Sequence, residues 1–289
     1  MNRATPLLRG LGALLLLLNG AAWAGPPLAW QAQIGDHPPD WIVGSFHLLP
    51  PEAATLPAAY QRALAAADVL VLESDLETLA NPMQLQGLMG QAMAPEGGLK
   101  GLVGDRLYRQ FERTAADLSL PTESMALFRP WFVAMSLEVL NYTRAGFRPD
   151  LGVDQRLLMA ARERGLPLRW LEEPEAHMQL LSGMPAALER DFFAAAVQEG
   201  KQAEPAQLLK IWQSGDVGAL ARLSADMRRR YPALHKRLLL DRNRQWLQPI
   251  LQMLRDDQTQ LIVVGAAHLA GDGGVLKLVN SYARLQRER

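Results

Sequence analysis

The stretch Leu261-Ile262-Val263-Val264-Gly265-Ala266-Ala267-His268-Leu269 decides how this chain is read. Four β-favouring apolar residues end at a glycine, and a histidine follows three positions later. The same order stands near the start, as Trp41-Ile42-Val43-Gly44-Ser45-Phe46-His47-Leu48. Given one copy, the chance that another histidine carries Val, Gly and Leu at the same offsets is about one in a thousand from ordinary residue frequencies. The chain holds only 5 histidines, so coincidence is a poor explanation. Each copy reads as a buried strand whose glycine lets the backbone turn sharply and approach a ligand, with the histidine projecting beyond the strand's carboxyl end. In open parallel sheets that edge is where ligands bind.

Two further apolar runs have the same look. Val69-Leu70-Val71-Leu72 runs into Glu73, and Leu168-Arg169-Trp170-Leu171 runs into Glu172. Long stretches with helical spacing separate the four runs, which predicts an α/β fold: a mostly parallel central sheet, helices on its faces and large helical insertions between strands. Periodicity and caps predict helices over residues 51–67, 122–145, 150–165, 185–200, 204–214, 216–229 and 232–255. The segments of about residues 75–165 and 174–258 far exceed an ordinary crossover and must build helical layers of their own. The glycine-rich piece over residues 87–104, just after Pro82, reads as a flexible loop or lid.

Composition narrows the function classes. Lys plus Arg and Asp plus Glu both total 30 in 289 residues, so no net field exists to hold nucleic acid or an anionic membrane. The chain has no cysteine, which excludes disulfides, thiolate metal sites and cysteine nucleophiles. Residues 1–24 carry a basic head at Arg3 and Arg9, a short apolar core and an Ala22-Trp23-Ala24 end, the order of a secretory signal peptide. The expectation is cleavage near Ala24, a single domain over residues 25–289, a periplasmic or secreted location, and no transmembrane segment in the mature chain.

If the sheet is parallel, His47, Glu73, Glu172 and His268 converge on one edge. Two histidines and one or two glutamates can hold a divalent metal with an open water position, or a His and a Glu can activate water directly. The competing role for Glu73 is to cap a helix or pair with an arginine. In Asp241-Arg242-Asn243-Arg244, adjacent charges fit a solvated helix face equally well. Alternatively Arg242, with Asn243 beside it, reaches the site and stabilises an oxyanion. Asp154, at a helix start, reads first as a cap or an arginine partner. His37 and His235 read as exposed, and His177 lies on a helix after Glu172.

At this point the sequence resembles the TraB/GumN family, the bacterial relatives of the Tiki proteins. The resemblance is carried by Gly44-Ser45-Phe46-His47, the strand from Ala67 to Glu73, Arg129-Pro130-Trp131, Gly152-Val153-Asp154, Leu171-Glu172, Asp241-Arg242-Asn243, and Val263 to Leu269 followed by Gly271 and Gly274. It implies a site at His47, Glu73, Arg242, Asn243 and His268, with His47, Glu73 and His268 as ligands of a divalent metal such as Mn, Co or Zn; the strand-end position of Glu172 and the helix-start position of Asp154 make these two the candidates for additional members. Tiki proteins are regarded as metal-dependent proteases, and the wider superfamily is similar to erythromycin esterases and to a haem-binding lipoprotein. After Leu171-Glu172 the family usually has a hydroxyl residue and then a glutamine, where this chain has Glu173 and His177.

Three functions follow as expectations. The first is an exported hydrolase, a metal-dependent peptidase acting on a peptide or small-molecule substrate. The second is a metal-free esterase or amidase with His47 as base, oriented by Glu73. The third is a non-catalytic envelope protein that binds haem or another small molecule. The zinc-protease signature HExxH is absent.

Overall fold

The computed structural model describes residues 25–197 and 205–289; the leader expected over residues 1–24 lies outside them. Six strands form one sheet: β1 (Ala29–Gln33), β2 (Asp40–Ser45), β3 (Val69–Leu72), β4 (Leu168–Trp170), β5 (Gln260–Gly265) and β6 (Arg284–Arg287). Their spatial order is β4-β3-β5-β2-β1-β6. The four apolar runs of the sequence are the four strands β2 to β5, all mutually parallel. Every residue of β2, β3 and β5 is buried, as expected of parallel strands covered on both faces. Strands β1 and β6 extend the β2 edge in antiparallel pairs. β6 alternates exposed and half-buried residues and carries Arg284 and Arg287, the marks of a charged edge strand.

Helices cover the sheet, and the long insertions form layers as expected. Leu99, Phe111, Val133, Leu137 and Phe193 make a second apolar core separate from that of the sheet. Arg129, one of the residues behind the family resemblance, ties this layer together through Glu189, which is 1% exposed. Among the described residues, no helix is long and apolar enough to cross a membrane.

Several boundaries depart from the sequence reading, each for a local reason. Residues 87–104 are mostly helical, with only a short joint over 93–97 between two helices: helix Pro82–Ala92 starts with Pro82 at its first position and the Asn81 side chain capping the Met83 N–H, and helix Gly98–Val103 follows. The glycines are needed at the joint between these helices, where Gly97 and Gly98 take φ of 92° and 60°, and at the end of the second, where Gly104 takes φ of 79°. The helix expected over residues 122–145 divides into Thr122–Met125 and Pro130–Arg144, because Pro130 has no N–H to continue a preceding turn. The helix expected from residue 51 begins only at Ala58, after Pro57. His235 is buried at 2% exposure, against the sequence reading, and hydrogen-bonds Ser224 at 2.9 Å.

Candidate active site

The two histidine motifs lie side by side but are not equivalent. Along β2 and β5 the register pairs Gly44 with Val264 and Ser45 with Gly265, one residue out of step with the motif alignment. Side chains alternate faces along a strand, so corresponding positions of the two copies point to opposite faces. After β2 the chain continues as a loop, and the His47 side chain is 57% exposed. After β5 it enters the short helix Ala266–Leu269, and His268 is 4% exposed. The glycines serve space rather than a left-handed turn. A Cβ on Gly44 would meet Leu269 at 2.6 Å, and one on Gly265 would sit between three site residues, 3.3 Å from both His47 Nε2 and Glu73 Oε1 and 3.6 Å from His268 Cδ2.

His47 is oriented from outside the sheet. Its Nδ1 lies 3.2 Å from Asp154 Oδ2, leaving Nε2 turned towards Gly265. Asp154 sits in the first turn of helix Val153–Glu163, and the Val153 N–H donates to the Phe46 carbonyl at 3.0 Å, fixing this helix to the His47 loop. Gly152 must be a glycine here, since a Cβ would come within 2.1 Å of the His47 carbonyl oxygen. The Asp154 charge raises the His47 imidazole to about 9 against the cost of removing it from water, with a smaller pull from Glu73. Water at the exposed ring screens part of that attraction.

Arg242 organises the rest. It lies on helix Asp241–Met253, whose buried face carries Arg242, Trp246 and Ile250 at four-residue spacing. A π-helical turn over Lys236–Leu240 immediately precedes it, a distortion often found at functional sites. Arg242 Nη2 donates to Glu73 Oε2 and to Glu172 Oε1 at 2.7 Å, Nε donates to Glu172 Oε2 at 3.1 Å, and Nη1 donates to His268 Nε2 at 2.9 Å. Its guanidinium also stacks 4.6 Å from the Trp246 ring. The sequence alternative of a solvated Asp241–Arg244 face fails here, because Arg242 and Asn243 are 7% and 3% exposed.

Burial opposes ionisation of Glu73, yet its carboxyl is held well below the usual carboxylate range by its neighbours. His268 is among them, but burial pushes His268 itself down to about 4, so it is neutral near pH 7. The charges that keep Glu73 ionised are therefore Arg242 and, behind it, protonated His47, with the Gly265 N–H donating to Oε1 at 2.6 Å. The network fixes the His268 tautomer: Nδ1–H donates to Asn243 Oδ1 at 2.6 Å and Nε2 accepts from Arg242. Asn243 in turn donates to the carbonyls of His268 and Gly273, which makes it a positioning residue. Beside this polar cluster opens a cavity of about 470 Å³, with His47, His268 and Gly265 on its wall.

The chain as a whole has counterparts among known proteins. The profile of the TraB/PrgY/gumN family matches residues 28–281, almost the whole described chain. The chain belongs to the TraB/PrgY/gumN family. Relatives include the uncharacterized protein YbaP of Escherichia coli (strain K12) and of Shigella flexneri, each 23% identical over 246 residues, covering 82% of this chain and 86% of theirs. No solved structure matches the chain.

The resemblance of this TraB/PrgY/gumN protein to Tiki proteins implied a metal held by His47, Glu73 and His268. As arranged, those donors do not fit one ion. His47 Nε2 and Glu73 Oε1 both face Gly265, but the His268 lone pair is taken by Arg242, a permanent cation already bonded to Glu73. Donors of Glu73, Glu172 and His177 do lie within 4.8 Å of one another, with Arg242 bonded to both glutamates. Of the expected residues, the structure brings His47, Glu73, Arg242, Asn243, His268 and Glu172 together, and Asp154 joins through His47. Two partnerships escaped the sequence. Nothing in it links His47 to Asp154, 107 positions away, rather than to Glu73 as its orienting group. His177, at the position where the chain departs from the family pattern, donates from Nδ1 to Glu172 Oε1 over 2.6 Å, and only an i, i+5 spacing could have signalled it.

Proposed function

We propose that this protein is a hydrolase of ester or amide bonds in a peptide or small-molecule substrate, with Glu73 accepting a proton from water and His47 donating one to the leaving atom. The observation that carries this reading is that His47 Nε2 and Glu73 Oε1 both face Gly265, with His47 and Gly265 on the wall of a cavity large enough for a substrate group. The two groups are prepared in opposite states: Asp154 keeps His47 protonated, and Arg242 keeps Glu73 ionised. A proton-transfer pair needs that contrast. Attack of water on the carbonyl carbon sends its proton to Glu73 Oε1. The Nε2–H of His47 protonates the departing oxygen or nitrogen, and solvent restores both groups. Arg242 acts here by positioning Glu73, since its Nε, Nη1 and Nη2 all have protein acceptors. The signal-like residues 1–24 support a periplasmic or secreted setting for the reaction.

The test is turnover of a panel of chromogenic esters and a peptide library by the purified mature chain. The wild type is expected to be active, and His47→Ala and Glu73→Gln each to lose about 10²-fold or more in kcat with the fold retained. Activity that survives chelators supports the metal-free form. Activity lost on chelation and restored by Mn, Co or Zn replaces it with a metal-dependent hydrolase, which the grouping of Glu73, Glu172 and His177 favours. Stoichiometric haem binding with no turnover on any substrate sinks the hydrolase reading.

A further inference from the structure

An apolar wall flanks the His47 edge. Helix Val217–Arg230 carries Leu220, Leu223 and Met227 at i, i+3 and i+7, which places them on one face. All three line the cavity of about 470 Å³, together with Phe46, Tyr142 and Trp212. Leu223 and Met227 are only half-buried, unlike the core residues around them. The cavity opens to solvent, so its apolar wall stands exposed to water, and a contiguous exposed apolar surface of this kind marks a binding groove. Here the aromatic wall is pinned from behind. Trp212 Nε1 donates to the Gly44 carbonyl at 2.8 Å, the Tyr60 hydroxyl donates to the same oxygen at 2.7 Å, and the Phe46 ring packs 6.0 Å from Trp212. No Asp, Glu, Lys or Arg lines the cavity among the described residues, so a charged group placed in it would lose its hydration without a counter-ion. His47 and Gly265 lie on the same wall, so whatever occupies the cavity lies against the proton donor His47.

We propose that this cavity is the specificity pocket of the enzyme, and that its substrate carries a bulky uncharged apolar group, a fatty acyl chain or a large hydrophobic side chain, next to the scissile carbonyl. This inference rests on the hydrolase reading above and names its substrate class. The pocket discriminates by size and by charge: each added methylene is drawn from water into contact with Leu223, Met227 and the aromatic wall, and a cationic or anionic side chain is refused.

Calorimetric titration of His47→Ala tests binding without turnover. The probes are linear alkanamides from hexanamide to decanamide, and the N-acetyl amides of Ala, Leu, Phe and Lys. Affinity is expected to rise about fourfold per methylene until the cavity is full. Leu and Phe derivatives are expected to bind at least tenfold more tightly than the Ala derivative, and the Lys derivative to gain nothing. A gain confined to alkanamides identifies an acyl chain as the occupant, and one confined to amino-acid amides identifies a peptide side chain. Leu223→Trp and Met227→Trp, which fill the space, should each weaken the best ligand at least tenfold while near-ultraviolet circular dichroism stays native. Affinity independent of size, or indifferent to both substitutions, overturns the proposal. Size-dependent binding accompanied by no wild-type turnover of the matching esters and peptides would leave the pocket standing and overturn the hydrolase reading alone.

Discussion

His47 and His268 begin as the same residue in the same local motif and end with opposite proton affinities. For His47 the decisive neighbour is Asp154, which raises the imidazole to about 9. Asp154→Asn removes that charge, so the imidazole is expected to fall towards its ordinary 6.5, and the alkaline limb of kcat/KM to move down with it. A proton–nitrogen NMR titration of the ring follows the change directly. His268 runs the other way: burial holds it near 4, whereas the unfolded imidazole takes its proton near 6.5. Below pH 6.5 the unfolded chain therefore binds more protons than the folded one, and stability is lost as pH falls towards 4. Chemical denaturation of wild type and His268→Gln should show this acid-side loss in the wild type alone, on the order of 3 kcal/mol.

Among the elements, the junction between the His47 loop and helix Val153–Glu163 is the least tolerant. Gly152 leaves no space for a Cβ against the His47 carbonyl, so Gly152→Ala must displace either the loop or the helix start that carries Asp154. A cost of about 1–3 kcal/mol in urea unfolding is expected, as for other overpacked sites, with a larger fractional loss of activity than of stability. The same contrast explains what the sequence disclosed. Three of the four parallel strands, β2, β3 and β5, were legible because buried parallel strands are written as unbroken apolar runs ending in glycine or glutamate, and half-buried β4 was legible from the same run-then-glutamate pattern despite Arg169. β6 was not, because an edge strand rich in arginine looks like surface. The helices over residues 82–103 were hidden behind glycines that count as breakers in general but sit harmlessly in exposed turns here: a Cβ on Gly87 or Gly90 would meet nothing within 4 Å. In the site, residue types and strand ends could be read, but partners could not. That Arg242 bonds Glu73, Glu172 and His268 together is a fact of helix placement, created by a buried helix face that the charged run Asp241-Arg242-Asn243-Arg244 disguised.

For the molecule as a whole, two apolar cores share the work. The sheet core carries the candidate site, and the inserted layer has its own cluster around Phe111. Phe111→Ala should cost about 3–5 kcal/mol locally, and hydrogen exchange should then quicken in helices Gly98–Val103 and Asp105–Asp117 while β2, β3 and β5 keep their protection. Uniform loss of protection across sheet and insert would show that the layers melt as one unit.

The one-residue offset between β2 and β5 has a further consequence. Copied text placed in step would yield two like positions, either both exposed or both interred, and a change helpful to one would be mirrored in the other. Out of step, the copies became an anchor and a working end. His268 is clamped by Asn243 and Arg242 and has little freedom to vary, whereas the cavity wall on the His47 side, at Leu223 and Met227, can be rewritten without disturbing that anchor. Such asymmetry lets one scaffold be re-aimed at new substrates from a single side, and comparison of the cavity-facing positions 223 and 227 among relatives is where that history should be sought.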